Sequence, residues 1–353
     1  MSKQTAVVIC PGRGTYNQGE LGYLSRYHNI GSVKCDKEIS NFIEAIDQAR
    51  EQASQITVSD LDKSEKYRSR IHGTGDNASA LIYACAMSDL KKINRDKYDI
   101  VAVTGNSMGW YLALASAGVL QGNAGFDVVN TMGTLMHTDG VGGQVIYPLV
   151  DSNWQYDPSL AALCDQLVDD LNQNENIQIA ISIELGGMRV LAANDEGIKA
   201  LLEKLPPQQD RFPFQLHHHS AFHSSILKHI PEIALTRLSK DLFQSVKIPL
   251  VDGQGEIWRK GTLDLNELYE YTFNQQVTET YNFSSAIEVC VKEFSPEKLI
   301  VLGPGSTLGP PVAQKLIDLS WMGLDSKERF ISEQKENPFL LSMGIAEQRA
   351  HVI

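Results

Sequence analysis

An α/β fold with a mostly parallel sheet and a small inserted subdomain is what this sequence predicts, and three observations predict it. Short, apolar, β-branched runs alternate with helical patterns along most of the chain. Glycine clusters stand where several of those runs pass into helices. After Gly140-Val141-Gly142-Gly143 the texture changes to a tighter β-α-β-β-α-β order for about 75 residues.

The first run, 5–10 (TAVVIC), reads as a buried strand entering the loop Pro11-Gly12-Arg13-Gly14. An amphipathic helix is expected over 38–56 and a second, rich in Ala, Leu and Met, over 76–93. Residues 99–104 (DIVAVT) read as a strand buried on both faces, followed by Gly105-Asn106-Ser107-Met108-Gly109 and a helix through WYLALASAGVL. Residues 126–137 continue helically. The inserted unit then holds a strand at 144–150, a helix at 158–173, strands near 177–184 and 188–193, a helix at 195–204 and a strand near 211–218. That order is ferredoxin-like. Beyond it come a helix after Ser220, a strand near 247–251, helices at 264–272 and 284–293, and a strand at 298–302. This last strand leads into Gly303-Pro304-Gly305 and a further helix. The division is therefore a large subdomain of residues 1–138 and 217–353 and a small one of 139–216. The polar tail after about 324 is expected on the surface or partly mobile.

The chain has 353 residues, 42% hydrophobic and 21% charged, which suits a globular protein with a sizeable core. A net charge of −12 argues against a nucleic-acid partner, which would select a basic face. The five cysteines contain no C-x-x-C pair and read as reduced thiols in a cytoplasmic protein. The N-terminal apolar run is too short for a signal peptide, and no stretch of about 18 apolar residues predicts a membrane span.

Chemistry concentrates at Ser107. A serine hydroxyl is a weak nucleophile until a base takes its proton and its oxygen is presented on a turn. The G-x-S-x-G pattern between a strand and a helix is such an elbow, and it makes the large subdomain α/β-hydrolase-like. The N–H after the serine faces an oxyanion, and the helix N-terminus adds its dipole. Histidine titrates near neutrality and supplies the base. Four of the nine histidines lie at 217, 218, 219 and 223, and each is admissible from the residues alone. His217 and His219 also permit a two-ligand metal start, but no acidic or cysteine partner is spaced to complete it, so no metal is expected. Gly12-x-Gly14 suggests a dinucleotide loop, but the third glycine would fall at Asn17 and no P-loop lysine follows.

These residues resemble the malonyl-CoA:acyl-carrier-protein transacylases, including the acyltransferase domains of fatty acid and polyketide synthases. Pro11-Gly12-Arg13-Gly14 is similar to that family's Pro-Gly-Gln-Gly loop, and Gly105–Gly109 to its Gly-His-Ser-Leu-Gly elbow. Ala117-Gly118-Val119-Leu120, Ala221-Phe222-His223-Ser224 and Gly303-Pro304-Gly305 match further landmarks in the same order. The resemblance implies acyl-CoA and acyl carrier protein as substrates, no cofactor, and a ping-pong reaction. In it Ser107 is acylated, His223 is the base, and the N–H groups of Met108 and Arg13 form the oxyanion hole. Gly12, Gly14 and Asn106 would line the substrate site beside Arg13 and Met132. A hydrolase using the same Ser–His pair is the alternative.

The chain also departs from the family. Met132 stands twenty-five residues after Ser107, where the malonyl enzymes carry the arginine that pairs with the malonyl carboxylate. Methionine offers an apolar wall instead, which points to a neutral or longer acyl group. Arg13 replaces a glutamine, and three readings stand: a substitute carboxylate partner, a clamp on a coenzyme A phosphate, or a solvent-facing side chain. Arg189 is a weaker candidate for the first task. Ala78-Ser79-Ala80 removes one polar contact. Gly253 falls where the family has asparagine, and its neighbour Asp252 either fixes the His223 tautomer as a third triad member or closes an Asx turn.

Overall fold

The computed structural model describes residues 2–353. Six strands form the main sheet: β1 (Gln4–Cys10), β2 (Tyr98–Gly105), β7 (Leu250–Val251), β8 (Ile257–Trp258), β10 (Lys298–Val301) and β11 (Leu340–Ser342). Five form the second: β3 (Gly143–Pro148), β4 (Ile179–Leu185), β5 (Met188–Ala193), β6 (Phe214–Leu216) and β9 (Tyr281–Asn282).

The main sheet runs β11-β10-β1-β2-β7-β8. All its neighbours pair in parallel except β8, which returns antiparallel to β7. Residues Ala6 to Cys10 are fully buried, as an all-apolar strand covered on both faces must be. The expectation of a mostly parallel α/β sheet holds. Among the described residues, no helix is long and apolar enough to cross a membrane.

The second sheet runs β6-β3-β5-β4-β9. Its first four strands pair antiparallel in ferredoxin-like order, backed by helices Pro158–Leu171 and Asp195–Lys204. Their inner faces make a separate core around Val145, Tyr147, Cys164, Leu191 and Leu201. The fifth strand was not expected. β9 comes from far along the chain and pairs parallel with β4, so the small sheet is completed by the large subdomain.

Two helices of the large subdomain cross closely and set one wall of the site. They are Gly75–Lys92 and Ala124–Thr138. A Cβ on Gly133 would lie 2.7 Å from the Gly75 carbonyl oxygen and 2.8 Å from the Ser79 hydroxyl. Only glycine permits that approach, and it brings Met132 and Met136 alongside Ser79.

Three expectations are corrected. The strand near 211–218 shrinks to Phe214–Leu216, because Pro213 cannot donate to a ladder and His218 turns at φ +60°. The helix at 264–272 runs further, as Leu265–Glu270, a π-helical turn Tyr271–Gln275 and a last turn Gln276–Thr278. The tail is structural: it holds helices Lys327–Glu336 and Ala346–Val352 and places β11 against β10. Arg349 in the last helix is buried against Asp89, which also accepts from the Tyr23 hydroxyl and the Gly303 N–H and bonds His28.

Candidate active site

Strand β2 ends at Gly105, the chain reverses, and the helix Gly109–Ser116 begins. Ser107 sits on the reversal at φ +56°, a left-handed conformation that non-glycine residues avoid. Glycines flank it because there is no room for anything else. A Cβ on Gly105 would overlap the Gly109 carbonyl, and one on Gly109 would overlap the Cys10 carbonyl of β1. A Cβ on Gly12 would overlap the Asn106 carbonyl, which ties the first glycine loop to the elbow. The Tyr281 hydroxyl donates to the Gly105 carbonyl at 2.5 Å and anchors the turn from β9.

His223 comes from the loop after the small subdomain. Its Nε2 lies 2.7 Å from Ser107 Oγ, and its Nδ1 lies 2.5 Å from the Gln276 carbonyl oxygen. A carbonyl only accepts, so Nδ1 carries the proton and Nε2 accepts from the serine hydroxyl. This is the tautomer a general base requires. Burial pushes the His223 pKa down from 6.5 to about 4, with the Gln276 carbonyl pulling the other way. The imidazole is thus neutral at physiological pH.

Gln276 is the residue that sequence reasoning missed. Its carbonyl belongs to the last turn of a helix ending at Thr278, where carbonyls lack intrahelical donors and the dipole favours a cation. Its side chain also contributes: Nε2 donates to the Ser107 carbonyl at 3.0 Å, and Oε1 accepts from the Tyr111 hydroxyl at 3.0 Å. One residue therefore holds both His223 and the elbow. No motif announces a backbone carbonyl, and the predicted helix ended before it.

Asp252 makes no hydrogen bond to His223, whose Nδ1 is on the Gln276 carbonyl. Its Oδ1 accepts from the N–H groups of Gln254 and Glu256, and Oδ2 from the Trp258 indole. The Asx-turn reading is the one that matches. Gly253 beside it leaves no room for a side chain, since a Cβ would overlap the Tyr281 ring.

The histidine run separates. His219 Nδ1 bonds Gln144 Oε1 at 2.8 Å, His218 Nε2 bonds Ser69 Oγ at 2.9 Å, and the His217 ring packs edge-on to Phe214. All three lie beyond the end of β6, so His217 and His219 share no strand face. Among the described residues, no group of three His, Cys, Asp or Glu side chains is placed to hold a metal ion. Arg189 is spent on Glu184 and Asp165 within the small subdomain. It does not line either cavity at Ser107.

Ser107 stands where two cavities meet. The smaller, about 40 Å³, is walled by Met108, Tyr111, Met132, Met136, Phe222 and Val277, with Arg13 and Ser79 also on its lining. The larger, about 680 Å³, runs between the subdomains past Gly12, Gly14, Asn106 and the histidine run. Arg13 borders both. Its Nη2 donates at 2.8 Å to the carbonyls of Gly73 and His218, and its guanidinium lies 5.5 Å from the Phe222 ring centre. The solvent-facing reading is therefore excluded. Among the described residues, no protein acceptor takes the backbone N–H of Met108 or of Arg13.

Neither a family model nor a curated protein matches the sequence. Solved structures do match in fold. A malonyl-CoA:ACP transacylase from Synechocystis superposes with a TM-score of 0.72 at 18% identity, over 99% of this chain and 100% of that one. A malonyl-CoA:acyl carrier protein transacylase from Xanthomonas oryzae gives 0.70 at 16%, over 99% and 98%. One from Coxiella burnetii gives 0.71 at 13%, over 99% and 96%. Fold and inserted subdomain thus define a class, the transacylase-type α/β fold. Along its whole length this chain has the fold of the malonyl-CoA:acyl-carrier-protein transacylases.

Proposed function

We propose that the protein is an acyl-CoA:acyl-carrier-protein S-acyltransferase working through an acyl-Ser107 intermediate, with His223 as general base. The observation that carries this reading is the 2.7 Å bond from Ser107 Oγ to a His223 Nε2 whose other nitrogen is held on a carbonyl. Ser107 Oγ attacks the thioester carbonyl as its proton passes to His223 Nε2. The N–H groups of Met108 and Arg13 receive the oxyanion, each such donor supplying about 3–4 kcal/mol. Collapse breaks the carbon–sulfur bond, and the coenzyme A thiolate takes the proton from Nε2. The pantetheine thiol of the carrier then gives its proton to His223, attacks the acyl ester and leaves Ser107 as the hydroxyl.

Two cavities of unequal size suit this sequence. The wide cleft admits a pantetheine arm, and the small methionine-walled pocket keeps the acyl group from bulk water. Mixing the protein with acyl-CoA donors and holo acyl carrier protein tests it. Acyl-carrier is expected by intact mass, abolished in Ser107→Ala and slowed about a hundredfold or more in His223→Ala. Release of free acid without acyl-carrier would replace transfer by hydrolysis.

A further inference from the structure

Two residues that line the small pocket carry a polar side-chain atom that nothing in the protein satisfies. Ser79 Oγ and Arg13 Nε are both buried without a hydrogen-bond partner, and both residues line the pocket with Ser107. Ser79 is 1% exposed, so water from the surface does not reach it freely. The other lining groups are apolar or already engaged: Met132, Met136, Phe222 and Val277 offer no donor, and the Tyr111 hydroxyl is on Gln276.

Arg13 is also a fixed cation without an acid. The bonds from Nη2 to Gly73 and His218 pin it, and the Phe222 ring lies close against its guanidinium. Among the described residues it forms no ion pair. Burial lowers its pKa from 12.5 to about 10, opposed by Asp76 and Tyr67, so it stays charged at neutral pH. A pinned, partly buried cation and two idle buried donors beside one pocket are costly unless a ligand supplies the acceptor.

We propose that Arg13 and Ser79 form an anion-accepting end to the acyl pocket, so that the acyl group taken from coenzyme A ends in a carboxylate although position 132 is methionine. This inference rests on the acyl-Ser107 reading. Arginine is suited to the task, since a guanidinium matches carboxylate geometry and retains its charge. Ser79 reaches the pocket because Gly133 lets its helix come close, next to Met132. A pocket of about 40 Å³ suits a short chain. An anion could also come from a coenzyme A phosphate in the cleft, which Arg13 borders. Ser79 does not line that cleft, and the pairing of the two donors favours the acyl side.

The experiment measures acyl-enzyme formation by intact mass with malonyl-CoA, acetyl-CoA and butyryl-CoA. The expected result is preferential malonyl loading. Arg13→Gln should lower the malonyl-to-acetyl ratio roughly tenfold to a hundredfold, and Ser79→Ala several-fold in the same direction. Arg13→Lys should recover part of the loss. Malonyl-pantetheine, which lacks the phosphates, should show the same loss in Arg13→Gln. If the loss disappears with that donor, Arg13 serves a phosphate and the proposal is wrong. Equal loss of malonyl and acetyl loading in both variants would make the pair structural and overturn it. Loading of acetyl or butyryl but not malonyl would overturn it while leaving acyl-Ser107 intact. No adduct from any donor would overturn the acyl-enzyme reading itself.

Discussion

His223, the base of the proposed reaction, also bears on stability. In the folded protein it binds a proton only near pH 4, whereas an unfolded histidine does so near 6.5. Above 6.5 both states are neutral and the difference contributes nothing. As pH falls from 6.5 towards 4 the unfolded chain takes up the proton first, so stability is lost, by up to roughly 3 kcal/mol. His219 is depressed in the same sense by burial and by Arg13, and acts alongside it. Two results are expected: acyl loading flat through neutral pH as far as this histidine controls it, and a steeper loss of urea stability from pH 7 to 4.5 in the wild type than in His223→Gln. Identical pH dependence of stability in the two proteins would show that His223 is not buried neutral. Single residues were unevenly legible in the sequence. Ser107 was readable because its turn demands glycines around it. Met132 pointed to a neutral or longer acyl group, whereas the unpartnered Arg13 Nε and Ser79 Oγ are features that no spacing reveals.

At the scale of elements, a helix end rather than an acidic side chain holds His223 Nδ1. The π-helical turn Tyr271–Gln275 precedes the short last turn that carries the Gln276 carbonyl. Such turns often mark functional positions. Nothing in the sequence marks it, because a backbone carbonyl has no residue type and Asp252 lay nearer the expected motif. The two residues therefore make a paired test. Asp252→Asn should stay within about threefold of the wild-type loading rate, since its carboxylate serves Gln254, Glu256 and Trp258. Gln276→Ala keeps the carbonyl but loses the amide clamp on Ser107, and should slow loading about tenfold through kcat rather than KM. A loss of about four orders of magnitude in Asp252→Asn would restore the acidic triad. Strands buried on both faces were legible from their apolar runs. β9 was not, since two residues whose pairing is set entirely by a distant strand carry no local pattern.

The whole molecule is tied together at places the sequence does not advertise. β9 joins the small sheet to the large subdomain beside the Ser107 elbow, and the C-terminal segment closes the far edge of the main sheet. The polar helix Lys327–Glu336 has no buried residue and disguised that segment as surface, although Phe339-Leu340-Leu341 beside it was a readable strand signal. Arg349 then buries its charge on Asp89, a pairing that only the assembled fold can make. What the overall pattern did carry was order: five landmarks along the chain, from the first glycine loop to Gly303-Pro304-Gly305. The fold they implied is present, and Ser107 lies between its two cavities. The most direct measurement is the intact mass of the protein alone after mixing with malonyl-, acetyl- and butyryl-CoA, without any carrier. A single acyl adduct is expected, mapping to Ser107 and absent in Ser107→Ala. An unmodified mass with every donor, or an adduct that survives Ser107→Ala, would contradict the acyl-Ser107 reading.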